Sequence, residues 1–108
     1  MANFLLVYTG GGMPEDEAEQ AAVLKAWETW YKELGSAVAD PGNPIAPMAK
    51  SIASDGTVSD GPGALGMMAS GYTVLTADSL DEAVTMAKGC PMLDGGGQIS
   101  VFETFPAM

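Results

Sequence analysis

The most constraining stretch of this chain is its first, Asn3-Phe4-Leu5-Leu6-Val7-Tyr8-Thr9, which ends at Gly10-Gly11-Gly12. Side chains alternate between the two faces of a strand, and here Phe4, Leu6 and Tyr8 on one face and Leu5 and Val7 on the other are all apolar or aromatic. Such a strand needs cover on both sides. It belongs inside a sheet with helices on one face and a further layer, such as a second subunit, on the other.

Two later segments supply the helices. Pro14 suits a first helical position, and Glu15, Asp16, Glu17 and Glu19 set negative charge at the positive end of the helix dipole, so a helix is predicted over 14–34. Val23, Trp27, Trp30 and Leu34 share one stripe of it, and Gly35 stops it. Ser36–Ala39 reads as a short strand, followed by a loop through Pro47. Met48–Ser54 and Thr57–Ser59 flank the turn dipeptide Asp55-Gly56 as a small hairpin. A glycine-rich loop over 60–68 leads into a strand over 70–77. Ser79-Leu80-Asp81-Glu82 is a capping box that opens a second helix of about ten residues. Its stripe is Leu80, Ala83, Val84 and Ala87, with Gly89 as a left-handed cap and Pro91 as a barrier to continuation. Gln98–Phe105 reads as the last strand. The order is a split β-α-β plan: one α+β domain over 1–108, with a mostly antiparallel sheet and two helices on one face.

Charge and residue types narrow the function. Fourteen acidic residues stand against Lys25, Lys32, Lys50 and Lys88, for a net charge of −10, and there is no arginine or histidine. Nucleic acid and anionic membranes are therefore unsuitable partners. Without histidine, the commonest general base and metal ligand are missing, and no cofactor or metal is expected. Cys90 is the only cysteine, flanked by Gly89 and Pro91, and is expected to be a buried, inert thiol. With no basic start for a signal peptide at Met-Ala-Asn-Phe, the expected compartment is the cytoplasm.

In order along the second half stand Asp60-Gly61-Pro62, Gly71-Tyr72, Asp78-Ser79-Leu80-Asp81-Glu82-Ala83, Cys90-Pro91 and Gly97-Gln98-Ile99-Ser100-Val101. In that order they resemble the YCII-related, DGPF-type family, and the opening strand and Trp-bearing helix extend the resemblance over nearly the whole chain. The resemblance implies a ferredoxin-like subunit that pairs sheet to sheet in a dimeric α+β barrel. This sequence departs from the family at Gly63, where the signature has an aromatic residue. It also lacks the histidine of the His-Asp pair used by the branch with a proposed enzymatic activity. Other relatives are linked to extracytoplasmic sigma factors or to small-molecule metabolism.

Each candidate site residue has two readings. Asp60, at a glycine-proline corner, can act as a general base or cap its own turn. Tyr8 and Tyr72 can donate into one cavity or fill core space. Lys50 can anchor an anion or sit solvated on the hairpin, and Met48, Met67 and Met68 can line a pocket or fill gaps. Trp27 and Trp30 read as core. The glycine triplets match no phosphate-binding pattern and read as hinges, while the acidic cluster at 15–19 reads as a solvated helix start. The leading expectation is a homodimer that binds a small organic molecule near Tyr8, Lys50, Asp60, Met68 and Tyr72. The alternatives are a cofactor-independent isomerase or lyase acting beside a carbonyl, with Asp60 as base and Tyr72 as electrophilic partner, and an accessory dimer that docks on another protein through an acidic face.

Overall fold

A computed structural model describes residues 1–12 and 14–106. Its four-stranded sheet comprises β1 (Ala2–Thr9), β2 (Val38–Asp40), β5 (Ala69–Ala77) and β6 (Gln98–Glu103), in the order β2-β5-β1-β6. All neighbours run antiparallel, with the two longest strands, β1 and β5, in the middle. α1 (Glu17–Leu34) connects β1 to β2, and α2 (Leu80–Ala87) connects β5 to β6. This is the ferredoxin-like α+β arrangement, and the sheet is open, with β2 and β6 as its edges. A two-stranded arm, β3 (Lys50–Ile52) with β4 (Val58–Asp60), is inserted between β2 and β5 as a separate sheet. The molecule is a slab of 45 × 39 × 18 Å, with a radius of gyration of 15.3 Å against about 13 Å for a compact chain of this length.

The doubly apolar first strand is covered on one side only. Phe4, Leu6 and Tyr8 are buried with Leu75, Ala77 and Trp30, whereas Leu5 and Val7 are half-buried. Register places Leu5 between Val74 and Phe102, and Val7 opposite Tyr72, so the uncovered face is a continuous apolar patch on the central strands. Each large side chain in the core contributes about 1.5–3 kcal/mol by leaving water.

Several boundaries differ from the sequence reading. α1 starts at Glu17 and not at Pro14, because the Asp16 carboxylate accepts from the Ala18 amide at 3.3 Å and forms the N-cap. The second strand is displaced to Val38–Asp40 by a 3-10 turn at Gly35–Ala37. The arm pairs Lys50–Ile52 with Val58–Asp60, shorter than predicted, around a turn in which Asp55 accepts from the Thr57 amide at 2.9 Å. The last strand ends at Glu103, leaving Phe105 exposed. In α2 only Ala83 and Ala87 of the predicted stripe are buried, so the small residues face the core while Leu80 and Val84 are exposed.

Gly89 is also not the left-handed cap expected of it. Its φ is not positive, and its role is spatial: a Cβ there would lie 3.3 Å from the Trp30 ring. That absence of a side chain lets Trp30 Nε1 donate to the Met86 carbonyl at 3.1 Å, tying α1 to the end of α2.

Candidate functional site

α1 is 18 residues long, yet Trp30 is its one buried side chain among the described residues. Trp30 packs into the core, and the middle of the helix, from Ala22 to Trp27, stands over a cavity of about 760 Å³. The roof is Ala22, Val23, Ala26 and Trp27. One wall is the 41–44 segment, which runs beside β5, and the other is the turn after α2 with Pro91, Met92 and Asp94. Both glycine triplets border the opening through Gly10–Gly12 and Gly95.

Local sequence explains these walls. Asp40 accepts from the Gly42 amide at 2.8 Å, and Gly42 adopts φ +73°, which suits a glycine. A Cβ at Gly42 would overlap the Tyr72 carbonyl, so only glycine lets this segment lie against β5. The Tyr72 amide donates to the Asn43 carbonyl at 3.3 Å, the Ile45 amide donates to the Ser70 carbonyl at 2.9 Å, and Pro44 bridges to Gly71. On the other side, a Cβ at Gly11 or Gly97 would lie under 3.0 Å from the Met92 sulfur. Gly11 of one triplet and Gly97 of the other therefore form a slot that seats Met92, a packing role beyond the expected hinges.

The floor is a cluster of hydroxyl groups. Tyr8, 3% exposed, donates to the fully buried Thr73 Oγ1 at 2.6 Å, and Thr73 donates to the Pro41 carbonyl at 3.1 Å. The Tyr31 hydroxyl donates to the same carbonyl at 3.0 Å and lies 3.3 Å from Thr73 Oγ1. Gly71, paired with Tyr8 across the ladder, leaves room for its ring. Trp27 meets Tyr8 edge-on at 5.5 Å between centroids and Trp30 at 5.7 Å, and Tyr31 tilts against both indoles. Burial pushes the Tyr8 phenol far above the usual tyrosine range and raises Tyr31 as well, so both keep their protons at neutral pH. Cys90, buried near this cluster, is likewise raised by desolvation and stays a thiol.

Of the five residues singled out from the sequence, Tyr8 and Tyr72 line the cavity. They do not point the same way: Tyr72 pairs with Val7 and takes that residue's face of the sheet, whereas Tyr8 faces the helices. Asp60 and Lys50 lie outside the lining, opposite each other on the arm, in a 2.6 Å ion pair whose side chains are 88% and 71% exposed. The Asp60 carboxylate neither enters a cleft nor caps its turn. Met68 is half-buried and also outside the lining, and Met48 and Met67 are exposed, filling no gap. The residues that sequence reasoning missed are Tyr31, Met92 and Thr73. Tyr31 sits one position after the Trp27-Trp30 stripe, so helical spacing pointed to it; no local pattern marks the other two.

The acidic run at 15–19 is exposed, and among the described residues no three His, Cys, Asp or Glu side chains come together in a metal-binding group. Nor, among these residues, is any helix long and apolar enough to cross a membrane.

No family model matches the sequence, and no curated protein matches it. Among solved structures, the chain is similar to 5-chloro-2-hydroxyhydroquinone dehydrochlorinase (TftG) from Burkholderia phenoliruptrix AC1100, in a complex with 2,5-dihydroxybenzoquinone. The TM-score is 0.53 and the identity 16%, with 95% of this chain and 93% of that one covered. At this identity the likeness concerns the fold. The chain shares with TftG an α+β fold with an antiparallel sheet and two helices.

Proposed function

We propose that this chain is a cytoplasmic, YCII-related homodimer that binds a small organic molecule in the cavity under α1. The observation that carries the ligand half is the space of about 760 Å³ beneath the middle of α1, roofed by Ala22, Val23, Ala26 and Trp27. That volume lies in the range of small-molecule sites, about 300–1,000 Å³, and combines apolar walls with a few convergent polar groups. TftG, of similar fold, is solved with a small ring compound bound, which supports the same use here. The homodimer half is supported by the open face of Leu5, Val7, Val74 and Phe102, which a second sheet would cover. The motif order seen in the sequence supports the YCII-related assignment, and the lone, buried thiol of Cys90 suits a reducing compartment.

Tyr8 and Tyr72 remain in the proposed site, now with Trp27, Tyr31 and Met92. Asp60, Met68 and Lys50 lie outside it, and no observation favours Asp60 as a base. Native mass spectrometry of protein purified without denaturation tests both halves. The expected spectrum is a dimer carrying a discrete small-molecule mass, which disappears in Ala26→Trp, a substitution that fills the cavity from its roof. A dimer with the same adduct in Ala26→Trp overturns the placement of the site, and a monomer overturns the assembly.

A further inference from the structure

Building on the ligand cavity proposed above, we infer that it selects an aromatic ring that carries no anionic group and bears a hydrogen-bond donor, a hydroxyl or amino group, which is received by the Tyr31 oxygen. Three independent observations converge on that class.

The first is charge. None of the four lysines lines the cavity, the chain has no arginine or histidine, and among the described residues the one charged side chain in the lining is Asp94. A carboxylate or phosphate entering here loses water, gains no cation and meets the field of a chain carrying −10. The second is the wall. Trp27 bridges Tyr8 and Tyr31 at centroid distances of 5.5 and 5.8 Å, so the inner end of the cavity presents ring faces and edges to which another ring adds at similar spacing.

The third is the accounting of protons at the floor. The Tyr8 proton goes to Thr73 Oγ1 and the Thr73 proton to the Pro41 carbonyl. The single Tyr31 proton goes to the Pro41 carbonyl, and its other neighbour in range is again Thr73 Oγ1. In either direction it is used within the cluster. A phenol oxygen donates once and accepts up to twice, so what Tyr31, half-buried, offers the cavity is an acceptor. The ligand must bring the donor.

Three probes of nearly one shape separate these features: 4-methylphenol, 4-methylanisole and 4-methylbenzoate, titrated against the whole chain by tryptophan fluorescence. Trp27 lies in the wall and serves as the reporter. The expected order is 4-methylphenol tighter than 4-methylanisole by about three- to tenfold, the scale of one net hydrogen bond, with 4-methylbenzoate about tenfold or more below 4-methylphenol. In Tyr31→Phe the advantage of the phenol over the anisole falls to within about twofold. In Asp94→Asn, which touches none of the floor groups, the disadvantage of the benzoate narrows. Equal binding of all three probes, or a phenol advantage that survives Tyr31→Phe, overturns the selectivity and leaves the cavity as a ligand site. Silence of all three in the wild-type chain overturns the selectivity together with the cavity reading.

Discussion

Tyr8 shows how one side chain can serve core and cavity together. Its ring completes the buried row of Phe4 and Leu6, while its hydroxyl holds Thr73, whose own proton fixes the 41–44 wall through the Pro41 carbonyl. Removing the hydroxyl in Tyr8→Phe withdraws a donor from a fully buried acceptor and should cost about 1–2 kcal/mol in denaturant unfolding. The sign of the pH effect is set by burial. In the unfolded chain this phenol ionises near pH 10, about the usual tyrosine value, whereas in the folded chain it stays protonated well beyond that. Above pH 10 the folded state therefore binds more protons than the unfolded one, and stability falls as pH rises; below pH 10 the contribution is fully present. Tyr31, also raised, adds to the same slope. Denaturant midpoints between about pH 8 and 11 should drop above about 10 in the wild type and more gently in Tyr8→Phe. An identical slope in the variant would show that Tyr8 titrates alike in both states.

At the scale of elements, sequence signals were reliable where a local hydrogen bond decides the outcome. The Ser79 hydroxyl accepts from the Glu82 amide at 3.1 Å, so Ser79 opens α2 as its N-cap, the half of the predicted capping box that the structure forms. Ser79→Ala should destabilise the protein by about 1 kcal/mol, while Ser79→Asp, which retains a capping acceptor, should hold near the wild type in thermal unfolding. Signals failed where a neighbour in space decides. Gly89 has the place and residue type of a helix-ending cap, yet it is set by the Trp30 ring that packs against it. The packing role of the glycine triplets was not legible, because nothing local shows that Met92 lies between Gly11 and Gly97. For Asp60, the corner of an Asp-Gly-Pro sequence is legible, but pairing with Lys50 on an exposed arm is a property of the hairpin register.

Across the whole molecule, two features distinguish the surface from that of a simple monomer: the open sheet face and the projecting arm, with Met48, Ile52, Val58, Leu65 and Met67 exposed. The proposed dimer gives the sheet face a second layer. Val74→Lys places a charge at the centre of that patch, on a side chain that is half-buried and outside the cavity lining. Sedimentation should then show a monomer, with cooperative unfolding retained, since Phe4, Leu6 and Leu75 on the helix side are untouched. A dimer of unchanged affinity would move the interface elsewhere, the exposed arm being the next surface to test.

By itself the sequence determined the α+β class, the positions of both helices and the four main strands, and the poverty of cations, because these depend on residue type, on spacing along the chain and on bonds a few residues long. The doubly apolar first strand also led to the expectation of a second cover for the sheet, a face that is open in the single chain and that the proposed dimer would close. Only the tertiary structure decided which side chains share the cavity, because that depends on register and on packing between distant segments. A one-residue step along β5 puts Thr73 beneath Tyr8 and turns Tyr72 to the other face. The few hydroxyl groups at the floor come from β1, β5 and α1, and meet the 41–44 segment only after the chain has folded. Proximity of that kind has no period to read.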